Sequence, residues 1–348
     1  MYQLNEKIRD LKPYDPITGY YPIRLDANES FITVPESVLA KIQKAAAEVP
    51  YNRYPDPYAA ELCESFASFY QVNPKNVTAG NGSDELISVI YNAFLMKGET
   101  VMTVSPDFSM YSFYSSIVEA NCIQYQKKPD LTIDVDDMIA AAEKNSVRMI
   151  VFSNPCNPTS LGLKREDVRH LISSVKALVV LDEAYMDFWD QSLLGEVENY
   201  DNLIILRTCS KAFGMAGIRL GFAVANRTIT QAIQAVKSPY NVNLLTQKIG
   251  SVVLQEKELI LSAIAEIIKS KNALYSELKR IESSYPDRMH TYQSVTNFVF
   301  IRMEDSKRMF ESLLSAGIAI RYMGDYIRIT AGTEKENREL IKTFEKFI

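Results

Sequence analysis

One lysine in this sequence, Lys211, sits in a loop of small residues, R-T-C-S-K-A-F-G-M-A-G-I-R-L-G-F over residues 207–222. Ser210 precedes it and Arg219 follows on the same stretch. Hydroxyls, one amine and a guanidinium can hold an anionic phosphate beside a reactive nitrogen. An amine that loses its proton attacks carbonyl carbon, and a neighbouring cation helps depress its pKa. Taken alone, the stretch reads equally well as a strand, a turn and a solvated surface cation. The other residues that could join it lie at the ends of predicted strands. Asp182 opens D-E-A-Y after the apolar run 177–181, and Asn157 stands in the rigid loop S-N-P-C-N-P-T over 153–159. Phe108 follows the predicted strand 100–105 and could stack on a flat ring. G-N-G-S-D-E over 80–85 opens an apolar helix whose first-turn amides, at Ser83 and Asp84, attract an anion.

These groups need a frame that brings strand ends together. Strand and helix patterns alternate from about residue 75 to 225, which predicts an α/β fold with a mainly parallel, helix-covered sheet. In such sheets, ligands bind in the crevice at the carboxyl ends of the strands. The expected elements are helices at 34–48, 58–70, 86–94, 134–144 and 164–174, and strands at 77–79, 100–105, 117–124, 148–152, 177–181 and 203–206. From residue 243 to about 281 the pattern is long and helical. Beyond it come strands at 297–302, 318–321 and 326–330 with helices at 307–315 and 335–347, a smaller α+β C-terminal domain. The expected division is an N-terminal arm over 1–30, a large domain over 31–242 and the small domain over 243–348.

Composition narrows the function classes. The 348 residues carry a net charge of −5, with 47% hydrophobic and 23% charged residues, an ordinary globular balance with no basic block for nucleic acid. The opening residues contain no apolar segment of the secretory type, and no run reaches the roughly 18–20 apolar residues of a membrane span, so a cytoplasmic setting is expected. Four isolated cysteines and two histidines argue against a zinc site, a disulfide framework or a histidine-based hydrolase, so no metal is expected.

Together the strand ends and the glycine-rich helix start offer a phosphate cradle, an aromatic platform, an acid for a ring nitrogen and an amine for an aldehyde. That set suits pyridoxal 5'-phosphate. Asp182 would keep the pyridine nitrogen protonated, so that the ring can accept electrons from a substrate α-carbon, and Lys211 would act as the base.

The same motifs resemble a known family. L-D-A-N-E (25–29), N-R-Y-P-D-P (52–57), G-N-G-S-D-E-L-I (80–87), N-P-C-N-P-T (154–159), D-E-A-Y (182–185), the Lys211 stretch, P-Y-N-V-N (239–243) and I-R-I-T-A-G (327–332) run in family order over nearly the whole chain. The chain is similar to class I/II aminotransferases of pyridoxal-phosphate fold type I. Within that family it most resembles the branch acting on histidinol phosphate with 2-oxoglutarate as acceptor. Aromatic amino-acid aminotransferases and threonine-phosphate decarboxylases are sister readings on the same scaffold, and a non-catalytic cofactor-binding module is a further one. The resemblance implies that Lys211 is the Schiff-base lysine and Asp182 the partner of the ring nitrogen. Asn157 and Tyr185 would bond the ring hydroxyl, and Phe108 would stack on the ring. Ser83, Asp84, Ser210 and Arg219 would hold the phosphate. Tyr54 would reach the phosphate site of a second subunit in a homodimer. Arg328 would bind the substrate anion, with Arg321, Tyr14, Asn28 and Asn157 as further substrate contacts. Two positions depart from the usual pattern, Ser160 after N-P-C-N-P-T and Phe108 at the stacking position.

Overall fold

The computed structural model describes residues 2–9, 11–13 and 16–348. Tyr14 therefore lies outside the described residues. A short strand, β1 (Ile23–Arg24), precedes seven strands that form one sheet: β2 (Val77–Gly80), β3 (Thr100–Ser105), β4 (Asn121–Gln126), β5 (Met149–Ser153), β6 (Leu178–Asp182), β7 (Leu203–Thr208) and β8 (Gly221–Ala225). Their spatial order is β2-β8-β7-β6-β5-β3-β4. Only β8 runs antiparallel to its neighbours; the remaining pairs are parallel. The three central strands β5, β6 and β7 are apolar almost throughout because helices cover both of their faces. The register places Ser153 beside Asp182, and Thr208 beside Gly221, so the polar residues that end these apolar runs emerge along one edge.

Two local expectations are corrected. The strand expected over 117–124 is displaced to Asn121–Gln126, so its second half is strand and its first half is not. The β-branched Ile117, Val118 and Ile123 favour extended backbone locally. The helix that carries fully buried Tyr111, Met110–Ile117, runs on to Ile117, and Glu119 then turns the chain at φ 57°, with the Ala120 amide donating to Ser115 O at 2.9 Å, so the strand starts only after it. The strand expected over 318–321 is two short strands, β11 (Ile318–Ala319) and β12 (Arg321–Met323). They break at buried Ile320 because they serve different sheets: β11 pairs with β1, and β12 joins β9 (Met289–Thr291), β10 (Phe298–Met303) and β13 (Tyr326–Thr330) in the order β12-β13-β10-β9.

The long helix Lys257–Ser284 links the two cores: Ile260, Ile264 and Ile267 pack with the large sheet, and Leu274, Leu278 and Ile281 with the small one. Leu25 joins the small core, so the segment leading to Asn28 is held from that side.

Behind the carboxyl edge lies a buried ionic group. Arg207 stands 3.1 Å from Glu183 and 2.8 Å from Asp187. It also donates to Ser192 Oγ at 3.1 Å, and Tyr70 donates to Asp187 at 2.8 Å. One guanidinium thus answers two carboxylates behind the Asp182 and Lys211 loops. Removing it leaves both carboxylates without a cation in a dry site, a change that costs about 3–5 kcal/mol. Arg207→Met is therefore expected to destabilise the apoprotein by that amount in urea unfolding, and an unchanged urea midpoint would refute the ionic account.

Candidate active site

Segments at the carboxyl edge deliver their polar groups to a shared cleft of about 460 Å³. Phe108 comes from beyond β3, Asn157 from beyond β5, Asp182 and Tyr185 from β6, and Ser210 and Lys211 from beyond β7. Ser83 and Asp84 stand at the start of the helix that follows β2, and Arg219 leads into β8. Asn28, Arg321 and Arg328 close the cleft from the side of the small sheet. A groove of about 790 Å³ at 172–228 is larger but holds none of these groups. The concentration of chemistry, and not size, identifies the cleft.

Lys211 Nζ donates to Ala27 O at 3.0 Å and stands 5.9 Å from the centre of the Tyr185 ring. Burial lowers its pKa to about 8, and the next contribution is Arg328. The cation expected to act on the amine, Arg219, contributes less than Arg328 does. Asp182 is 4% exposed. It accepts from Tyr111 Oη at 2.9 Å and from the Ala184 amide at 3.1 Å. Burial pushes its carboxyl up to about 7. Both of those donors are neutral, so an added cation would find an acid ready to ionise against it.

The anion cradle rests on two glycines. Gly82 takes φ +84°, and a Cβ there would lie 2.8 Å from Arg219 Nη2. At Gly221 a Cβ would lie 2.4 Å from the Ser83 amide nitrogen. The first turn of the helix therefore packs directly on β8, with Arg219 alongside. Arg219 reaches Ser210 Oγ at 3.4 Å and Asp84 at 3.5 Å. Amides of a helix start, a hydroxyl and a guanidinium form a phosphate-sized set of donors. This donor set, the acid held by neutral donors and the lysine fit a phosphorylated pyridine aldehyde.

Tyr185 accepts from Asn28 Nδ2 at 2.8 Å, and burial moves its phenol up to about 12. Asn28 is held in the left-handed region, with φ 54°, and its Oδ1 accepts from Thr330 at 3.1 Å. Arg328 donates through Nη2 to Asp26 O at 2.7 Å and through Nη1 to Asn157 Oδ1. Arg321 lines the cleft opposite Arg328 in the β12–β13 register. Tyr54 is not brought there: it is 80% exposed and stacks on Tyr240 at 4.6 Å. Tyr111 was missed in the sequence. Its signal was its place three residues after Phe108, one helical turn along the segment that follows β3.

An α/β protein with two hydrophobic cores, and with a lysine and an acid on adjacent strand ends beside an anion cradle, is built for chemistry on a phosphorylated aromatic cofactor. The family model for aminotransferase class I and II matches residues 22–344. The chain belongs to that family. It is 40% identical over 339 residues to histidinol-phosphate aminotransferase of Clostridium novyi, covering 96% of this chain and 94% of that protein. Among solved structures it is similar to histidinol-phosphate aminotransferase of Sinorhizobium meliloti in complex with pyridoxal-5'-phosphate. That match has a TM-score of 0.88 at 22% identity and covers 100% of this chain and 99% of the other. It is also similar to L-threonine-O-3-phosphate decarboxylase of Porphyromonas gingivalis, with a TM-score of 0.80 at 21% identity, covering 93% of this chain and 99% of that one. Both structural likenesses establish the shared fold. Among the described residues, no helix is long and apolar enough to cross a membrane.

Proposed function

We propose that this chain transfers an amino group from histidinol phosphate to 2-oxoglutarate, using pyridoxal 5'-phosphate, as a homodimer in the cytoplasm. The observation that carries this reading is the pairing of Lys211 and Asp182 in one cleft with an anion cradle and, among its other arginines, Arg321 and Arg328. The 40% identical relative supports the choice of substrate. When bound, the cofactor supplies an aldehyde carbon to hold the substrate nitrogen and a protonated ring to take up electrons from the α-carbon.

The chain's residues do the rest. Lys211, with its pKa at about 8, moves the proton at the substrate's α-carbon. Asp182 holds the proton on the ring nitrogen. Asn157 and Tyr185 would hold the ring through its hydroxyl, and Phe108 would stack on it. Ser83, Asp84, Ser210 and Arg219 bind the phosphate. Arg328 takes the carboxylate of the acceptor. Arg321 takes the phosphate ester of the donor, with Tyr14 and Asn28 completing the substrate pocket.

The assay that decides the matter offers the holoenzyme histidinol phosphate, phenylalanine and threonine phosphate in turn, following both amine transfer and carbon dioxide. Transfer from histidinol phosphate should exceed transfer from phenylalanine by at least about a hundredfold, because a site built for a charged group rejects an analogue that lacks it. Carbon dioxide released from threonine phosphate would replace this reading with a decarboxylase.

Tyr54, exposed on this subunit, is assigned to the phosphate site of the partner. Mixing inactive Tyr54→Phe and Lys211→Ala proteins should then return up to about a quarter of wild-type activity, since random pairing makes half of the dimers mixed, each with one intact site. No recovery after verified subunit exchange would count against a shared site.

A further inference from the structure

Lys127, one residue past the end of β4, has no place in the chemistry above. Its Nζ donates to Pro106 O at 2.9 Å and to Cys156 Sγ at 2.9 Å, and stands 3.5 Å from Thr159 Oγ1. The ammonium therefore ties the loop that carries Phe108 to the loop that carries Asn157. Between those loops sits Asp107. Its carboxylate accepts from the Phe108 amide at 2.7 Å, from the Ser153 amide at 3.0 Å, and from Ser153 Oγ. Ser153 Oγ in turn accepts from the Asn157 amide at 3.0 Å. Since that oxygen already accepts a hydrogen, its own hydroxyl hydrogen is directed at Asp107.

Three N–H and O–H donors thus converge on one carboxyl group, and the Cys156 thiol adds a weaker fourth at 3.7 Å. An ionised carboxylate is acceptor-only and suits them all, whereas a protonated carboxyl gives up acceptor capacity to a hydrogen of its own. Burial works against ionisation at Asp107, and among the groups that oppose burial Lys127 contributes most. The other ionisable groups nearby do not help. The Cys156 thiol, 3.7 Å away, is itself pushed up by burial, and Asp182 and Tyr111 carry no positive charge.

We propose that Lys127 is a positioning residue whose ammonium keeps Asp107 an acceptor, and that Asp107 through Ser153 sets Phe108 and Asn157 against the cofactor ring. The inference rests on the cofactor reading above, and binding of pyridoxal phosphate by wild-type apoprotein tests that reading separately. Affinity is measured by quenching of intrinsic fluorescence, alongside the melting temperature of each apoprotein and the pH titration of the holoenzyme's visible band. Lys127→Met should weaken pyridoxal phosphate binding about tenfold, the scale of one charged hydrogen bond, and should shift the band's titration. Lys127→Arg should restore both to near wild type. In an Asp107→Asn background, Lys127→Met should add less than about twofold, because no carboxylate remains to be held. Wild-type affinity and band titration in Lys127→Met would overturn the proposal, whatever its melting temperature. So would equal losses with and without the Asp107→Asn substitution. If Lys127→Met does not fold, Lys127→Gln takes its place. A tenfold loss there supports the proposal, and unchanged binding overturns it.

Discussion

Lys211→Ala is expected to fold, to bind pyridoxal phosphate through its phosphate and ring contacts, and to lose at least about 10⁴-fold in kcat. General acid–base catalysis by one placed side chain is worth about 10²–10⁴-fold, and here the same nitrogen also forms the covalent attachment. Folding should survive because the amine's hydrogen bond to Ala27 O is a single contact, and its ammonium is held in a site that disfavours charge. The pKa of Lys211 is lowered from 10.5 to about 8. Between those values the unfolded chain binds more protons than the folded one, so this group's stability contribution is complete above pH 10.5 and falls away as pH drops through 8. At pH 7 the lysine therefore opposes folding, and the alanine variant should melt no lower than wild-type apoprotein. Borohydride treatment followed by intact-mass measurement separates the roles: wild type should keep the mass of the reduced cofactor after denaturation, and Lys211→Ala should not. Covalent retention by the variant would place the attachment elsewhere and remove the basis of the mechanism.

Much of this site was legible because its residues follow buried parallel strands. A run such as Leu203–Leu206 or Leu178–Leu181 has few other uses, and the first polar residues after it must surface at the carboxyl edge. Lys211, Asp182 and Asn157 could be assigned to one crevice on that basis. Strand order was not legible. Nothing local in G-F-A-V-A indicates that β8 inserts antiparallel between β2 and β7. Yet that insertion is what packs Gly221 under the Ser83 amide and gives the phosphate cradle its floor.

Side-chain partnerships across loops were equally hidden. Tyr111 and Asp182 lie 71 residues apart, and Lys127 and Cys156 lie 29 apart. Their meeting depends on which strands are neighbours, and a pattern of residue types does not specify that. Asn28 shows the intermediate case. Its motif drew attention to it as a substrate contact, but only the left-handed backbone and the bond to Tyr185 reveal that it also fixes a residue on the opposite wall.

The acid at the other end of the cofactor should behave in the opposite sense from the lysine. Asp182→Asn is expected to cut kcat by about 10²–10⁴-fold while making the apoprotein more stable above neutral pH. The activity loss follows because an amide keeps the shape and the neighbours of Asp182 but cannot hold a proton on the ring nitrogen. The stability gain follows from desolvation. Asp182 titrates at about 7 in the fold against an ordinary 3.8. Between those values the folded chain binds more protons than the unfolded chain. Stability from this group is therefore complete below pH 3.8 and is lost as pH rises through 7, at a limiting slope of about 1.4 kcal/mol per pH unit. Wild-type apoprotein should lose stability relative to Asp182→Asn between about pH 5 and about pH 8, by an amount on the order of 2–4 kcal/mol. Saturating pyridoxal phosphate should abolish or reverse that difference, since its protonated ring supplies the missing cation. Urea unfolding of both proteins at those two pH values, with and without cofactor, tests each step. A wild type that matches Asp182→Asn at the higher pH without cofactor would mean that the carboxylate is already compensated by the chain itself, leaving no electrostatic reason for the site to recruit a cationic ring.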